Sequence, residues 1–304
     1  HIDDVLQVPH AAGSAGVQET VRRLRPWRFD AAWVLPNSFK TAAEFLLAGV
    51  PERIGYRRDA RGLLLTQAVP RPSVNGRFRP TYMADYYLSL AEAAGLRVAE
   101  RLPRLWIDEA ADREAACRVA AAGLDPDGGY ILLSPGASYG PAKLWPHAHW
   151  ARLAESLAEE TGRRIGVISG PVDQVHADRI RELSDVPIAD LTRVGIDLHL
   201  LKGVVRRCGL MVTTDSGPRH YGIALRRPTV CVMGPNHPEY STTELAIDRV
   251  VQLDVACGPC QQKECPEGHH RCMRELAPEL VLRACEVALI ECCKLKETEV
   301  TFED

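Results

Sequence analysis

Lys143 lies where a lysine could meet a phosphate. It belongs to residues 134–146 (SPGASYGPAKLWP), after the apolar run 130–133 and before an amphipathic stretch at 150–160. Small residues in such a loop let backbone N–H groups approach an anion, and the helix that follows adds its positive end. Lys143 can then add a full charge to a diphosphate. A solvated lysine on an ordinary strand-to-helix loop would read the same way. Residues 213–220 (TTDSGPRH) make a second loop of this kind. Asp215 and Ser216 suit a helix N-cap and Pro218 its first turn, so capping alone could account for them. A functional reading adds three points. Gly217 would let a ligand come close, and His220 would stand in the first helical turn beside a bound anion. Asp215 would face the same crevice as Lys143, where it could bond sugar hydroxyls.

Two further groups carry possible chemistry. Residues 257–272 (CGPCQQKECPEGHHRC) hold Cys257, Cys260, Cys265 and Cys272, with His269 and His270 between them. Four soft ligands, or three with one His, suit a tetrahedral and therefore structural zinc. Free or redox-sensitive thiols and disulfides remain open alternatives. In the other half of the chain, residues 36–43 (PNSFKTAA) form another strand-to-helix loop. Asn37 and Ser38 could cap its helix or bond a polar ligand. Lys40, Arg53, Arg57, Arg58 and Arg61 surround them in sequence and suit an anionic acceptor. Residues 233–238 (MGPNHP) read as the wall of a crevice rather than a reactant.

These loops need a scaffold with strand ends on one edge. Short apolar runs at 31–35, 130–133, 164–168, 210–213 and 229–233 read as strands. Amphipathic stretches at 109–122, 150–160, 198–207 and 278–293 read as helices. Such alternation is the α/β pattern of parallel sheets. The turn-rich GLDPDGG at 123–129 suggests a division near residue 125, giving domains 1–125 and 126–304. The opening residues 1–8 read as a strand from the middle of a domain, and the charged tail 294–304 as a frayed end.

Bulk properties narrow the field. The 304 residues are 46% hydrophobic and 25% charged, an ordinary globular composition, and contain ten cysteines. No run of 18 apolar residues and no basic-then-apolar start is present, which points to the cytoplasm. Residues 1–104 carry 15 Lys and Arg against 10 Asp and Glu, while the rest is net acidic. That favours an anionic partner for the first half and argues against nucleic acid for the second. The chain lacks a glycine-rich dinucleotide fingerprint, a P-loop lysine motif and a Gly-x-Ser-x-Gly elbow, which weakens dehydrogenase, kinase and esterase readings.

Taken in order, PNSFKTAAEFLLAGVPERIGYRRDARGLLLT, PGASYGPAKLWP, TTDSGPRHYGIALRRPTVCVMGP and CGPCQQKECPEGHHRCM resemble the lipopolysaccharide heptosyltransferases of glycosyltransferase family 9. The last stretch favours the second of the two heptosyltransferase branches. The resemblance implies a GT-B type α/β fold, with two facing Rossmann-like domains and a cleft between them. It implies an ADP-heptose donor, a lipopolysaccharide inner-core acceptor, inversion at the anomeric carbon and no required cofactor. Ser138 and Lys143 would hold the diphosphate, with Lys143 stabilising the leaving group. Asp215, Ser216, Gly217 and His220 would lie against the donor's phosphates and heptose, and Ile196 against the adenosine. Asn37, Ser38, Lys40 and Arg57 would face the acceptor. Peripheral contact with the cytoplasmic face of the inner membrane fits such an acceptor.

Two departures from the family pattern stand out. The family's catalytic Asp lies in a Gly-Asp loop after the first strand, and no residue of this sequence corresponds to it. The expectation is therefore an N-terminally truncated chain. A sugar-nucleotide-binding fragment without turnover and a related epimerase remain as alternatives. In addition, residues 170–173 read GPVD, which leaves a ribose contact there unassigned.

Overall fold

The computed structural model describes residues 3–8 and 13–300, with backbone only for 295–300. The chain divides into two compact units between Arg101 and Leu102. The first unit contains α1 (Gly13–Leu24), β1 (Ala31–Trp33), α2 (Phe39–Ala48), β2 (Glu52–Tyr56), β3 (Gln67–Val69), β4 (Ser73–Val74), β5 (Arg77–Phe78) and α3 (Met83–Ala93). β1, β2 and β3 form a parallel sheet in that order. Its core joins Ala32, Val34, Val50 and Leu65 to Ala42 of α2. β4 and β5 form a hairpin across Asn75 and Gly76, both at positive φ, as a two-residue turn requires. The described residues 3–8 carry no regular structure, so the expected opening strand is not formed there, and residues 1–2 lie outside the described residues.

The second unit contains α4 (Glu109–Ala121), β6 (Ile131–Ser134), α5 (His147–Thr161), β7 (Ile165–Val167), α6 (Gln174–Leu183), β8 (Ile188–Asp190), α7 (Leu201–Arg207), β9 (Leu210–Thr214), α8 (Gly217–Ala224), β10 (Thr229–Met233), β11 (Asp248–Gln252), α9 (Arg271–Arg274) and α10 (Pro278–Val300). Its six strands pair in parallel in the order β11-β10-β9-β6-β7-β8. Successive side chains point to opposite faces. Ile131, Leu133 and Val212 therefore join Trp150, Leu153 and Leu157 of α5 and Val281 and Cys285 of α10 on one side. Leu132 and Met211 join Ala115 and Val119 of α4 and Val204 and Val205 of α7 on the other. The sheet is thus covered on both faces, which explains strands read as unbroken apolar runs.

The division falls earlier than the expected 125. α4 begins at the N-cap Asp108, whose side chain accepts from Ala111 N. It packs on α7 through Ala115, and Arg207 grips Asp112 through its two terminal guanidinium nitrogens. The helix belongs to the second unit by packing, although GLDPDGG follows it in sequence. α10 also continues past residue 293 to Val300, and residues 301–304 of the expected frayed tail lie outside the described residues.

Candidate functional site

In the second unit the chain runs β6-β7-β8 toward one edge, crosses back, and runs β9-β10-β11 toward the other. The direction reverses between β6 and β9. These two strands pair from Ile131↔Leu210 to Ser134↔Thr213, so the loops that leave them are adjacent. Ligands of open parallel sheets bind at such a reversal, outside the carboxyl ends of the strands.

Lys143 and Asp215 meet there. Lys143 is buried, and its Nζ donates to the Asp215 backbone oxygen at 2.6 Å and to Asp215 Oδ2 at 3.0 Å. Asn236 Nδ2 donates to the same Oδ2 at 2.5 Å, while Oδ1 accepts from Ser241 Oγ at 2.9 Å and from Arg219 Nη1 at 3.5 Å. Arg219 is wholly buried and reaches both oxygens of Asp248, at 3.0 and 3.2 Å. Thr243 closes the line by donating its N and Oγ1 to Asp248 Oδ2. Lys143, Asp215, Arg219 and Asp248 thus alternate in sign along one buried path. Burial by itself would raise the Asp215 pKa. The Lys143 charge, aided by hydrogen bonds from Lys143, Asn236 and Ser241, holds it below the usual carboxylate range.

Asp215 stands at the same crevice as Lys143, as expected from their loops, but in this structure its carboxylate is engaged by protein donors. Its two oxygens accept four side-chain donors, so its work is to fix Lys143. An ammonium has three donors. Two go to Asp215, and the exposed ring of Tyr139 lies 4.9 Å from Nζ.

Ser216 occupies the N-cap of α8 with extended backbone, but its side chain makes no cap bond. It turns instead to Thr214, accepting from Thr214 Oγ1 at 3.1 Å. The first turn of α8 is therefore not answered by its own capping side chain, and a helix start in that state favours an anion. Gly217 is exposed, and a Cβ built there would meet nothing within 4 Å. His220 is exposed, yet protein packed around its ring disfavours the charged form, and Arg219 adds to this. Its pKa is therefore held below the ordinary histidine value, which favours the neutral imidazole. Ser138 is exposed on the β6 loop. The structure so brings Ser138, Lys143, Asp215, Ser216, Gly217 and His220 to the loops after β6 and β9. Ile196 follows β8, two strands away, and rests half-buried against the core. Asp173 reaches the β6 loop as well, since a Cβ on Gly136 would stand 2.6 Å from its Oδ2.

The cysteine segment holds this loop in place. Lys263 O accepts from Ala142 N at 3.0 Å, His270 Nε2 lies 2.7 Å from Ala142 O, and Tyr139 donates to Gln261 O at 2.9 Å. All four clustered cysteines are free and line one small cavity with His269 and His270. Cys265 Sγ accepts from His270 N at 3.3 Å, and the exposed Cys257 faces His269 at 3.8 Å. Among the described residues no group of three or more His, Cys, Asp or Glu side chains is arranged to hold a metal ion, so no step below is routed through zinc.

In the first unit the basic residues separate into two roles. Arg61 is wholly buried and staples the 36–38 loop, donating to Pro36 O, Tyr56 O and Asn37 Oδ1. Arg53 binds the backbone at Val50 and Leu64. Arg61 is therefore not available to an acceptor. Asn37 accepts from Arg61 and Tyr86, and Ser38 caps α2 by accepting from Thr41 N at 3.1 Å. Lys40 lies 3.8 Å from Glu44. Arg57, Arg58 and Arg71 instead line an open cavity of about 730 Å³.

A doubly wound parallel sheet, with a fixed lysine and an uncapped helix start at its reversal point, is the arrangement at which α/β proteins of this class bind nucleotides. The family model for glycosyltransferase family 9 (heptosyltransferase) matches residues 17–271. The chain belongs to this family of enzymes. It is 30% identical to lipopolysaccharide heptosyltransferase 2 of Salmonella typhimurium, over 95% of this chain and 85% of that protein. It is 29% identical to the Escherichia coli protein of the same name, with the same coverage. The solved structure of the E. coli ADP-heptose lps heptosyltransferase II superposes with a TM-score of 0.70 at 29% identity, covering 90% of this chain and 82% of that one. Membership of this family favours the transferase over the epimerase alternative.

Proposed function

We propose that this chain is a lipopolysaccharide heptosyltransferase of the second type. The second unit binds ADP-heptose, and the heptose goes to an inner-core sugar hydroxyl. The observation that carries the reading is Lys143, fixed by Asp215 beside the uncapped start of α8 at the β6–β9 reversal. The acceptor oxygen forms a bond to the anomeric carbon, the bond from that carbon to the β-phosphate oxygen breaks, and ADP leaves. The acceptor proton passes to a carboxylate base, the role the family pattern gives to its Gly-Asp loop. Lys143 Nζ and the α8 amides stabilise the charge that grows on the β-phosphate. Neutral His220 can donate one hydrogen bond to a phosphate oxygen. Ser138 contacts the diphosphate and Ile196 the adenosine.

The Arg57, Arg58 and Arg71 cavity suits the anionic core of the acceptor. A glycolipid acceptor would bring the protein to the cytoplasmic face of the inner membrane as a peripheral visitor. Among the described residues no helix is long and apolar enough to cross a membrane. Calorimetric titration with ADP-heptose, ADP and UDP tests the donor assignment. Micromolar binding that prefers adenine supports it, and equal or absent binding of ADP and UDP contradicts it.

A further inference from the structure

We infer that a second anion site lies at the amino-terminal edge of the six-stranded sheet, opposite the donor crevice, and takes a phosphate group. A cavity of about 450 Å³ opens there, lined by Arg163, Arg206, Arg207, Arg227, Cys292 and Cys293 among others. That volume lies within the range of small-molecule sites.

Arginines after helix ends often serve only to answer the last carbonyls. Arg207 does so, donating to Gly203 O at 3.1 Å, and it shares Asp112 with Arg206. Arg163 and Arg227 do not. Arg163 Nη1 and Arg227 Nε are buried without a hydrogen-bond partner. Among the described residues neither guanidinium pairs with a carboxylate, although Asp127 also lines the cavity. A buried, unanswered guanidinium N–H is costly in a folded protein. Gly209 permits the arrangement, because a Cβ at that position would stand 2.1 Å from Arg163 Nη1. Arg163 and Arg227 line the cavity beside the paired Arg206 and Arg207, and guanidinium groups carry the paired N–H donors that phosphate oxygens fit. The donor's diphosphate has its own place at the opposite edge, so this site is independent of the donor reading.

Cys292 and Cys293 report occupancy in the wild-type chain. Their alkylation by N-ethylmaleimide is followed by mass spectrometry, with exposed Cys117 as internal reference. Pyrophosphate or glycerol 3-phosphate at millimolar concentration should slow their reaction about five-fold or more relative to Cys117. Whichever protects at lower concentration distinguishes a free phosphate from one carried on an organic group. The R163Q/R227Q variant should lose this protection. Absence of protection in the wild-type chain overturns the proposal even if the variant fails to fold. Equal protection in a folded variant, or by chloride at matched ionic strength, overturns it too.

Discussion

Replacing Arg219 with Met should unfold the protein more readily than any change at a surface arginine. It would strand Asp248 and weaken the hold on Asp215, both buried. Breaking one partner of such a set costs about 3–5 kcal/mol, and urea denaturation against wild type measures it. This residue was hidden in plain sequence. It stands inside TTDSGPRH, but its burial depends on Asp248, 29 positions further on. Lys143 and Asp215 were legible as charged groups on neighbouring strand-end loops. Their direct bond was not, because it needs the β6–β9 register and the side chains of Asn236 and Ser241. Asn37 and Arg61 mislead for the same reason: their polar atoms answer each other and the backbone.

At the scale of elements, close approach of α4 and α7 binds α4 to the second unit. A Cβ on Gly203 would stand 2.4 Å from Ala115 Cβ and 3.0 Å from Ile107 Cδ1. Gly203→Ala should therefore cost about 1–3 kcal/mol through overpacking, read as a lowered melting temperature. Gly217→Ala offers the contrast. Its added methyl meets open space, so stability should hold while ADP affinity falls, as calorimetry would detect. The apolar strands β6, β9 and β10 were readable because both sheet faces are covered. β2, β8 and β11 were not, since Arg53, Asp190 and Asp248 interrupt their apolar character. The boundary was misread because a glycine-rich turn marks a chain reversal as readily as a domain edge.

For the molecule as a whole, pH provides a global check. His147, His149 and His220 all have pKa values below the ordinary 6.5, mainly because burial or packed protein disfavours the imidazolium. The unfolded chain therefore takes up protons first as pH falls. Stability contributed by these groups is complete above about pH 6.5 and is lost progressively below it, through the lower folded values. Thermal melts at pH 7.5 and pH 5.5 should show the lower melting temperature at pH 5.5. The central claim, that Lys143 at the strand reversal holds a nucleotide diphosphate, is tested most directly by titrating ADP and adenosine into wild type and Lys143→Met. Removing one charge-assisted hydrogen bond should weaken ADP binding roughly 10- to 100-fold in a folded variant, with adenosine unaffected. Unchanged ADP affinity in that variant, or an equal loss for adenosine, would contradict the account.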